Sequence, residues 1–277
     1  MKIWKLGNGF VSDHLPYENL LSNDDRISVE NVRDFFNHVS PGDVIVNCIG
    51  KTGRPNVDWS EDINNKFITA MTNVALPLVI AEVCREVGAH LIQISSGCIY
   101  YGTAPDHHSW KEHDFANPES YYSKTKYACD LLIGDLPHVT NLRIRMPISD
   151  RNNQRNFINK IMCYDKVIDE PNSVTFMSDL VRCVHFFSNK KIAGTFHVTN
   201  PDPLSAADVV KEVMKYVPDH KFNIISLEDL EGLVKAKRSN CILDIKKLNN
   251  SGFYMTDTGK ALEKCVSDWI VSIHSTP

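Results

Sequence analysis

The chain has 277 residues, of which 43% are hydrophobic and 23% charged, and its formal net charge is −4. This length suits one large α/β domain or a nucleotide domain with a small second lobe, and the composition is that of ordinary globular proteins. The weak negative charge argues against nucleic-acid and membrane partners. We expect no signal peptide, transmembrane helix or metal site, and eight cysteines without a CxxC pair favour a reduced, cytoplasmic protein.

Short apolar runs alternate with helical segments through the first half of the chain. The expected strands are Lys2–Leu6, Glu18–Leu21, Asp43–Ile49, His90–Ile94 and Asn141–Arg145. The expected helices are Glu30–Val39, Asp62–Val87 with an interruption near Pro77, and Tyr122–Leu136. Apolar strands separated by helices predict an α/β fold with a doubly wound parallel sheet of the Rossmann type, which binds ligands at the carboxyl ends of its strands.

The second half is less regular and predicts a smaller α/β lobe. Its expected elements are the helix Phe157–Tyr164, the strand Thr195–Thr199, the helix Ser205–Tyr216 capped by Ser205, the strand Phe222–Ser226 and the helix Gly259–His274. We assign residues 1–148, rejoined by about 172–204, to a dinucleotide-binding domain. Residues 149–171 and 205–277 are assigned to a C-terminal substrate-binding lobe.

A glycine-rich turn follows the first strand. Gly7, Gly9, Phe10 and Val11 belong to a GxGxx pattern with Ser12 where a third glycine is usual. Such a turn lets backbone N–H groups approach a pyrophosphate, although Gly-x-Gly also occurs in ordinary turns. The following helix and strand are short, and no acidic residue stands clearly at the end of that strand for a ribose hydroxyl. We therefore favour NADP(H) over NAD(H).

Tyr122 and Lys126 form a YxxxK pair one turn apart on a predicted helix. An ammonium near a phenol lowers the phenol pKa from its ordinary value of about 10, which would make Tyr122 a proton donor to a carbonyl oxygen. Ser96, at the end of the preceding strand, offers a second hydroxyl. The alternative interpretation, without a catalytic role, is a surface helix with solvated lysines. The order of glycine turn, helical Asn73, Ser96 and YxxxK resembles the extended short-chain dehydrogenase/reductase superfamily.

Longer strings carry a closer resemblance, which runs from about residue 40 to the end. They are TGRPNVDW at 52–59, SGCI at 96–99, YSKTK at 122–126, RIRMPIS at 143–149, RNFINKI at 155–161, PNSVT at 171–175 and RSN at 238–240. Together they resemble the bifunctional UDP-4-keto-6-deoxyglucose 3,5-epimerase/4-reductases, the C-terminal modules of plant-type UDP-rhamnose synthases, which are similar to dTDP-4-dehydrorhamnose reductases. The first forty residues depart from the family by their shorter helix and strand.

The resemblance implies catalytic roles for Cys98 and Lys160. Cys98 lies two residues after Ser96, where this family and the related GDP-fucose synthases have a cysteine, and Lys160 takes the place of the partner acid/base. The chemistry agrees, since a 4-keto sugar has acidic C–H bonds at C3 and C5. Inverting both carbons requires an acid/base group on each ring face and a donor that holds the enolate oxygen O4. Without the resemblance, Lys160 would be interpreted as a solvated surface lysine.

The remaining site predictions fall into two sets. Besides Gly7, Gly9, Phe10, Val11, Tyr122 and Lys126, the cofactor set contains Asn47, Ile49, Gly50, Asn73 and Pro147. The substrate set contains Arg54, Asn56, Ser96, Gly97, Asn156 and Arg238, and arginine suits a diphosphate because of its forked donors. Arg143 and Arg145 are left open between a role near the cofactor loop and pairing with acids.

These residues predict an NAD(P)H-dependent enzyme that converts UDP-4-keto-6-deoxy-D-glucose, supplied by a 4,6-dehydratase, to UDP-L-rhamnose. A homodimer through the Tyr122 helix and the preceding long helix is expected by analogy of fold. Two alternatives stay open. The chain could be a dTDP-4-dehydrorhamnose reductase without epimerase activity, or a nucleotide-binding regulatory subunit without turnover.

Overall fold

Ten strands occur in the part of the chain that the computed structural model describes, residues 1–22, 25–53, 56–105 and 108–274. In chain order they are β1 (Ile3–Leu6), β2 (Glu18–Asn19), β3 (Val44–Asn47), β4 (His90–Ser96), β5 (Val139–Ile144), β6 (Pro147–Ile148), β7 (Lys166–Ile168), β8 (Thr175–Phe176), β9 (Gly194–Val198) and β10 (Asn223–Ile225). Each strand expected from the sequence has a counterpart among them, with slightly different ends.

The α-helices of the described residues alternate with the strands of the first half. They are α1 (Phe10–His14), α2 (Ile63–Ala70), α3 (Leu76–Val87), α4 (Tyr121–Ile133), α5 (Phe157–Ile161), α6 (Met177–Lys190), α7 (Ala206–Met214), α8 (Leu227–Glu231), α9 (Lys246–Asn250) and α10 (Thr258–His274). The helix expected at Glu30–Val39 is wrong, because only a 3₁₀ turn forms at Val32–Phe36. Val32 and Phe36, the apolar residues at the two ends of that turn, are both buried. Gly42, at φ +86°, then leads the chain into β3.

Six parallel strands form the central sheet in the order β2-β1-β3-β4-β5-β9. After β2 the chain crosses to the other side of β1 to form β3, so the strand order reverses between β1 and β3. Ligands bind at such a reversal, outside the carboxyl ends of the strands. The predicted Rossmann-type α/β fold is confirmed.

Alternate residues of each central strand enter different hydrophobic cores. Val44 and Val46 pack with α6 on one face of the sheet, whereas Ile45 packs with α3 on the other. This follows from the period of two along a strand, and burial on both faces explains the continuous apolar runs of the sequence. The polar ends of these strands are therefore held on a rigid support.

The long helical segment is continuous from Ile63 to Val87 but changes pitch in its middle. Met71–Ala75 forms a π turn immediately before Pro77, whose ring would otherwise clash with the carbonyl four residues earlier. This is the interruption expected near Pro77. Contrary to the sequence expectation, the 25-residue helix is long and apolar enough to cross a membrane by length and composition alone. Core helices pass the same test, and α3 packs its buried residues against the sheet.

A third hydrophobic cluster lies among α5, α7 and α10, around Val210 and Trp269. Ser205 caps α7 with the expected side-chain bond and forms a capping box with Asp208. The pairs β6–β8 and β7–β10 form two small parallel sheets. Within the segment assigned to the second lobe, α9 packs against β9 of the central sheet. The proposed lobe boundaries stay a prediction.

Candidate active site

The glycine turn after β1 has the close approach and the open side that a dinucleotide needs. Gly7 has φ +130°, and a Cβ there would lie 3.3 Å from Ile49 Cγ1, so glycine lets the ends of β1 and β3 approach each other. A Cβ on Gly9 would meet nothing within 4 Å. Gly9 also caps α1 without a side-chain hydrogen bond, so no capping side chain occupies the start of α1. The turn therefore fits the pyrophosphate of a nicotinamide dinucleotide.

Two polar side chains explain how the shortened first helix is held. The Ser12 hydroxyl, at the position of the usual third glycine, donates to Gly7 O at 2.5 Å. Lys5 Nζ donates to the carbonyls of Ser12 and Leu15, both at 3.0 Å, where α1 ends. Phe10 is buried beneath the turn, and Val11 packs beside it, so their side chains support the predicted cofactor contact from below.

Asn47 and Asn73 are fully buried and their side chains are hydrogen-bonded within the protein, so their predicted cofactor contacts stay a prediction. Asn47 donates to Gln93 Oε1 and accepts from Ile49 N. Asn73, inside the π turn, accepts a hydrogen bond from Lys51 N and donates one to Lys51 O. It also donates to Thr125 Oγ1 at 3.1 Å. Asn73 thus ties the loop after β3, with Gly50, to α4.

Ser96, Tyr122 and Lys126 meet at the carboxyl end of β4, as their spacing predicts. The side chains of Ser96 and Tyr122 lie close enough for Ser96 to act on the Tyr122 pKa, and Lys126 Nζ donates to Ile94 O at 3.3 Å. The Tyr122 pKa is raised, chiefly by burial and also by Cys98, and Ser96 and Arg145 lower it only in part. Burial thus sets the direction of the Tyr122 pKa, opposite to the lowering expected from the spacing to Lys126. Tyr122 stays protonated in the free protein.

Cys98 lies in the 3₁₀ turn that follows β4, and its backbone N–H donates to Ser96 Oγ at 3.1 Å. Its charge raises the pKa of Tyr122 and acts in the same direction on Lys160, so both groups lie within electrostatic reach of its sulfur. The Lys160 pKa is nevertheless lowered, chiefly by burial and secondarily by Arg155. Lys160 is thus half-buried, although its position in a polar stretch of the sequence favours a solvated lysine.

The sequence left the role of Arg145 open. In the structure, Arg145 lies at the Cys98 thiol. It is 1% exposed, and its Nη1 donates to Cys98 Sγ at 2.8 Å. Arg143, two residues earlier, pairs with Asp130 at 2.7 Å and lies in a buried network away from the thiol. Met146, between Arg145 and the half-buried Pro147, has φ +37°, a strained value for a residue before proline.

Gly97 has a packing role that differs from its predicted contact with substrate. A Cβ there would lie 2.9 Å from Arg145 Cγ and Cδ and 2.5 Å from Leu243 Cδ1. Only glycine lets the stem of Arg145 lie against the turn that carries Cys98. In the sequence, the signal of this packing role is a glycine beside a cysteine. The arginine that packs against that glycine cannot be identified from the sequence.

Asn156 caps the start of α5, and its predicted substrate contact stays a prediction. Its Oδ1 accepts from Ser149 N and Ile158 N, and its Nδ2 donates to Ser149 O and Arg151 O. The side chain has no exposed surface and its hydrogen-bonding capacity is used.

Asn56 and Arg238, by contrast, meet through Asp58. Arg238 donates to both carboxylate oxygens of Asp58, at 2.7 and 3.2 Å, and Asn56 accepts from Asp58 N. The Asp58 pKa is lowered because the hydrogen bonds from Arg238 and from Ala236 N outweigh its partial burial, so the Arg238 fork is already paired with an anion. Arg54 lies outside the described residues.

Comparison with known proteins identifies relatives over most of the chain. Residues 21–270 match the family model described as the RmlD substrate binding domain. A bifunctional dTDP-4-dehydrorhamnose 3,5-epimerase/dTDP-4-dehydrorhamnose reductase of Arabidopsis thaliana is 40% identical over 211 residues, which is 74% of this chain and 69% of that protein. A trifunctional dehydratase/epimerase/reductase of the same plant is 39% identical over 74% of this chain. The chain spans about a third of that longer relative, 32%.

Solved structures show the same fold. The L780 UDP-rhamnose synthase of Acanthamoeba polyphaga mimivirus superposes with a TM-score of 0.87 at 26% identity, covering 96% of this chain and 99% of that one. A dTDP-4-dehydrorhamnose reductase of Clostridium acetobutylicum gives 0.82 at 26% identity and the same coverage. The Bacillus anthracis reductase, solved in complex with NADP, gives 0.78 at 20% identity, covering 98% and 99%.

The family resemblance seen in the sequence is therefore confirmed, and a nicotinamide cofactor is consistent with the glycine turn. The chain belongs to the RmlD family and is a nucleotide-sugar reductase of the extended short-chain dehydrogenase/reductase superfamily.

Proposed function

We propose that this protein is an NAD(P)H-dependent 3,5-epimerase/4-reductase that converts UDP-4-keto-6-deoxy-D-glucose to UDP-L-rhamnose. The observation that supports the proposal is Cys98 beside Ser96, whose Oγ accepts from Cys98 N at 3.1 Å, with Tyr122 and Lys160 within electrostatic reach. A plain 4-keto reductase needs Tyr122 and Ser96 but has no use for a thiol and a lysine at the same carbonyl.

The pair Ser96 and Tyr122 accounts for activation of the C4 carbonyl. Two hydroxyl donors directed at O4 stabilise the negative charge that develops there during enolisation and again during reduction. Tyr122 is protonated in the free protein because burial raises its pKa, so it can give its proton to O4. When bound, the reduced nicotinamide supplies the hydride that C4 accepts.

Cys98 and Lys160 account for the inversions at C3 and C5. An enolate held at O4 must lose a proton on one ring face and regain one on the other, which requires two separate groups. The thiol comes from the turn after β4 and the amine from α5, so they reach the site from different elements. One carbonyl site then serves both reactions.

The end of β2 favours NADP(H) over NAD(H). Asn19 stands there, and its Nδ2 donates to Gly7 O at 3.0 Å. The nearest following carboxylate among the described residues, Asp25, already accepts from Ser22 N at 2.7 Å. Neither supplies an unengaged carboxylate for the ribose 2′-hydroxyl, which is the group that selects NAD(H).

Product analysis of the purified protein tests this function. With UDP-4-keto-6-deoxyglucose and NADPH in deuterated water, we expect UDP-L-rhamnose that carries deuterium at C3 and C5, with one NADPH consumed per product. The dTDP sugar in a parallel reaction measures the preference for the carrier. Consumption of NADPH only with the already epimerised 4-keto sugar would reject the epimerase activity.

A reductase that lacks epimerase activity is the second candidate. The likeness to the C. acetobutylicum dTDP-4-dehydrorhamnose reductase, at a TM-score of 0.82, favours it. The same reactions distinguish the two, since a plain reductase would leave the unepimerised sugar without deuterium. In either case a 4,6-dehydratase must supply the 4-keto sugar, and a cytoplasmic location stays a prediction.

Exposed apolar side chains on α2 and α4 support the proposed homodimer. Ile63 and Phe67 on α2 are 75% and 74% exposed, and Leu131 on α4 is 66% exposed. The two helices contact each other, so these side chains can contribute to one surface, and its burial between two copies would remove apolar area from water. We expect sedimentation equilibrium to give twice the chain mass of 31.4 kDa. A monomer mass at all accessible concentrations would contradict the dimer.

A further inference from the structure

Arg145 is a buried cation whose hydrogen-bond acceptors include no carboxylate. Its Nη1 donates to Cys98 Sγ at 2.8 Å and to Ser239 Oγ at 3.1 Å, and its Nη2 donates to Ser239 O and Asn172 Oδ1. Its Nε has no partner, and within the described ranges no acidic side chain forms an ion pair with it. Among the described residues, the Cys98 sulfur is the only hydrogen-bond acceptor of this guanidinium that can carry a negative charge.

Arg143 provides an internal comparison, because it lies two residues away and is equally buried. Its Nε donates to Asp130 Oδ2 at 2.7 Å, so its charge is compensated by a carboxylate. An uncompensated buried charge is strongly unfavourable. Where Arg143 has a carboxylate, Arg145 has the Cys98 sulfur, which accepts from its Nη1 at 2.8 Å.

The contact between Arg145 and Cys98 is held on several sides. Arg145 N donates to Thr175 Oγ1 at 2.9 Å, and Asn172 accepts from both Arg145 and Cys241 N. Gly97 leaves the space that the arginine stem occupies, since a Cβ there would lie 2.9 Å from that stem. A residue with a side chain at position 97 would push the guanidinium away from the sulfur.

The other titratable groups around Cys98 are Tyr122 from α4, Lys160 from α5 and Cys241. Tyr122 is protonated, and Lys160 in its ammonium form favours the thiolate. The Cys241 pKa is raised by burial although the same Arg145 lies near it, and its Sγ donates to Gly97 O at 3.6 Å. Cys98, which receives the Arg145 bond directly, is thus the thiol placed to ionise.

We propose that Arg145 is a positioning residue that holds Cys98 as a thiolate at neutral pH and thereby sets the direction of proton transfer in epimerisation. This inference rests on the proposed epimerase function. The thiolate takes the proton from C3 or C5, and the C–H electron pair moves into the enolate at O4. The Lys160 ammonium returns a proton to the same carbon from the other face. The thiol then loses its proton to water and the amine regains one, so the site is restored.

The pH dependence of Cys98 alkylation in the free protein tests the inference without substrate or cofactor. Iodoacetamide labelling is followed for each cysteine by peptide mass spectrometry, and the exposed Cys163 serves as the internal control. For a free thiol, the midpoint of alkylation against pH lies at about 8.5. We expect the midpoint of Cys98 to lie lower by about one pH unit or more. A wild-type midpoint at or above the ordinary value would overturn the inference without any substitution.

Substitutions at Arg145 then separate charge from packing. In Arg145→Gln we expect the Cys98 midpoint to rise by about one unit or more, and in Arg145→Lys to rise less, with Cys163 unchanged. If Arg145→Gln does not fold, Ser239→Ala keeps the guanidinium but removes the hydroxyl that accepts from it, and a smaller rise is expected. An unchanged Cys98 midpoint in a folded Arg145→Gln protein would reject the role.

Epimerisation kinetics distinguish this inference from the function on which it rests. In Arg145→Gln the kcat for deuterium wash-in should fall tenfold or more at neutral pH and recover as the pH rises, with little change in KM. A wild-type protein that shows no wash-in but a lowered Cys98 midpoint would reject the epimerase function alone. Wash-in together with an ordinary midpoint would reject the role of Arg145 alone.

Discussion

Replacing Tyr122 by Phe is expected to lower the rate of 4-keto reduction by about 10²- to 10⁴-fold, the range that one positioned proton donor contributes. The substitution removes one oxygen from a buried side chain and leaves Ser96 as the remaining donor to O4. Because burial raises the Tyr122 pKa, the wild-type phenol holds its proton throughout the neutral range. The rate is measured by NADPH oxidation with the already epimerised 4-keto sugar.

Tyr121→Phe is the matched control, since Tyr121 opens the same helix and is only half-buried. Its hydroxyl lies outside the Ser96 pair, so its rate should stay within about twofold of wild type. Binding of NADPH, followed by nicotinamide fluorescence, should be retained in both variants. A Tyr122→Phe protein that keeps full activity would show that another group protonates O4.

Replacing Cys98 by Ala is expected to lower deuterium wash-in at C3 and C5 by about 10²- to 10⁴-fold, because a group that transfers the proton directly is lost. Reduction of the already epimerised sugar should fall far less, since Ser96 and Tyr122 remain in place. This difference between the two steps is the signature of a thiol that serves only epimerisation. Nuclear magnetic resonance of the product sugar measures both outcomes in one reaction.

Cys163→Ala provides the control for removal of a thiol, because Cys163 is exposed and lies just after α5. Its wash-in rate should match that of the wild type. If Cys98→Ala exchanges C3 and C5 at the parent rate, the thiol has no part in epimerisation and the second candidate function gains support. If reduction and wash-in fall equally, Cys98 acts on the shared carbonyl instead of on the C–H bonds.

Loss of the guanidinium and loss of the thiol should differ in their dependence on pH. Arg145→Gln leaves a thiol that ionises at higher pH, so its epimerisation recovers in alkaline solution. Cys98→Ala has no group to ionise, so its loss persists at every pH. The two variants therefore report separately on the base and on the residue that sets its charge.

The local sequence determined the secondary-structure elements and the pairs of functional residues that lie on one element. Apolar runs placed the strands because a strand buried on both faces needs them, and YxxxK put Tyr122 and Lys126 on one face of a helix. Cys98 was found beside Ser96 because two residues at a strand end stay close in any fold. The shortness of α1 and β2 was also visible from the sequence alone.

Tertiary structure decided the states of the buried polar groups. Asn156 and Arg238 both looked like ligand contacts, yet Asn156 uses its hydrogen-bonding capacity in a cap and Arg238 is paired with Asp58. The sequence predicted a lowered pKa for Tyr122 from Lys126, whereas burial raises it. Desolvation depends on everything packed around a group, so spacing along the chain cannot supply it.

The contact between Arg145 and Cys98 depends on the register of two parallel strands. Ser96 pairs with Ile144 across β4 and β5, so the next residues, Gly97 and Arg145, leave the sheet side by side. Cys98 and Arg145 are 47 positions apart in the chain. The sequence by itself thus determined the fold, the carbonyl site and the thiol. Only the pairing of β4 with β5 brought to that thiol a buried arginine without a carboxylate, because strand register is set by packing across the whole sheet.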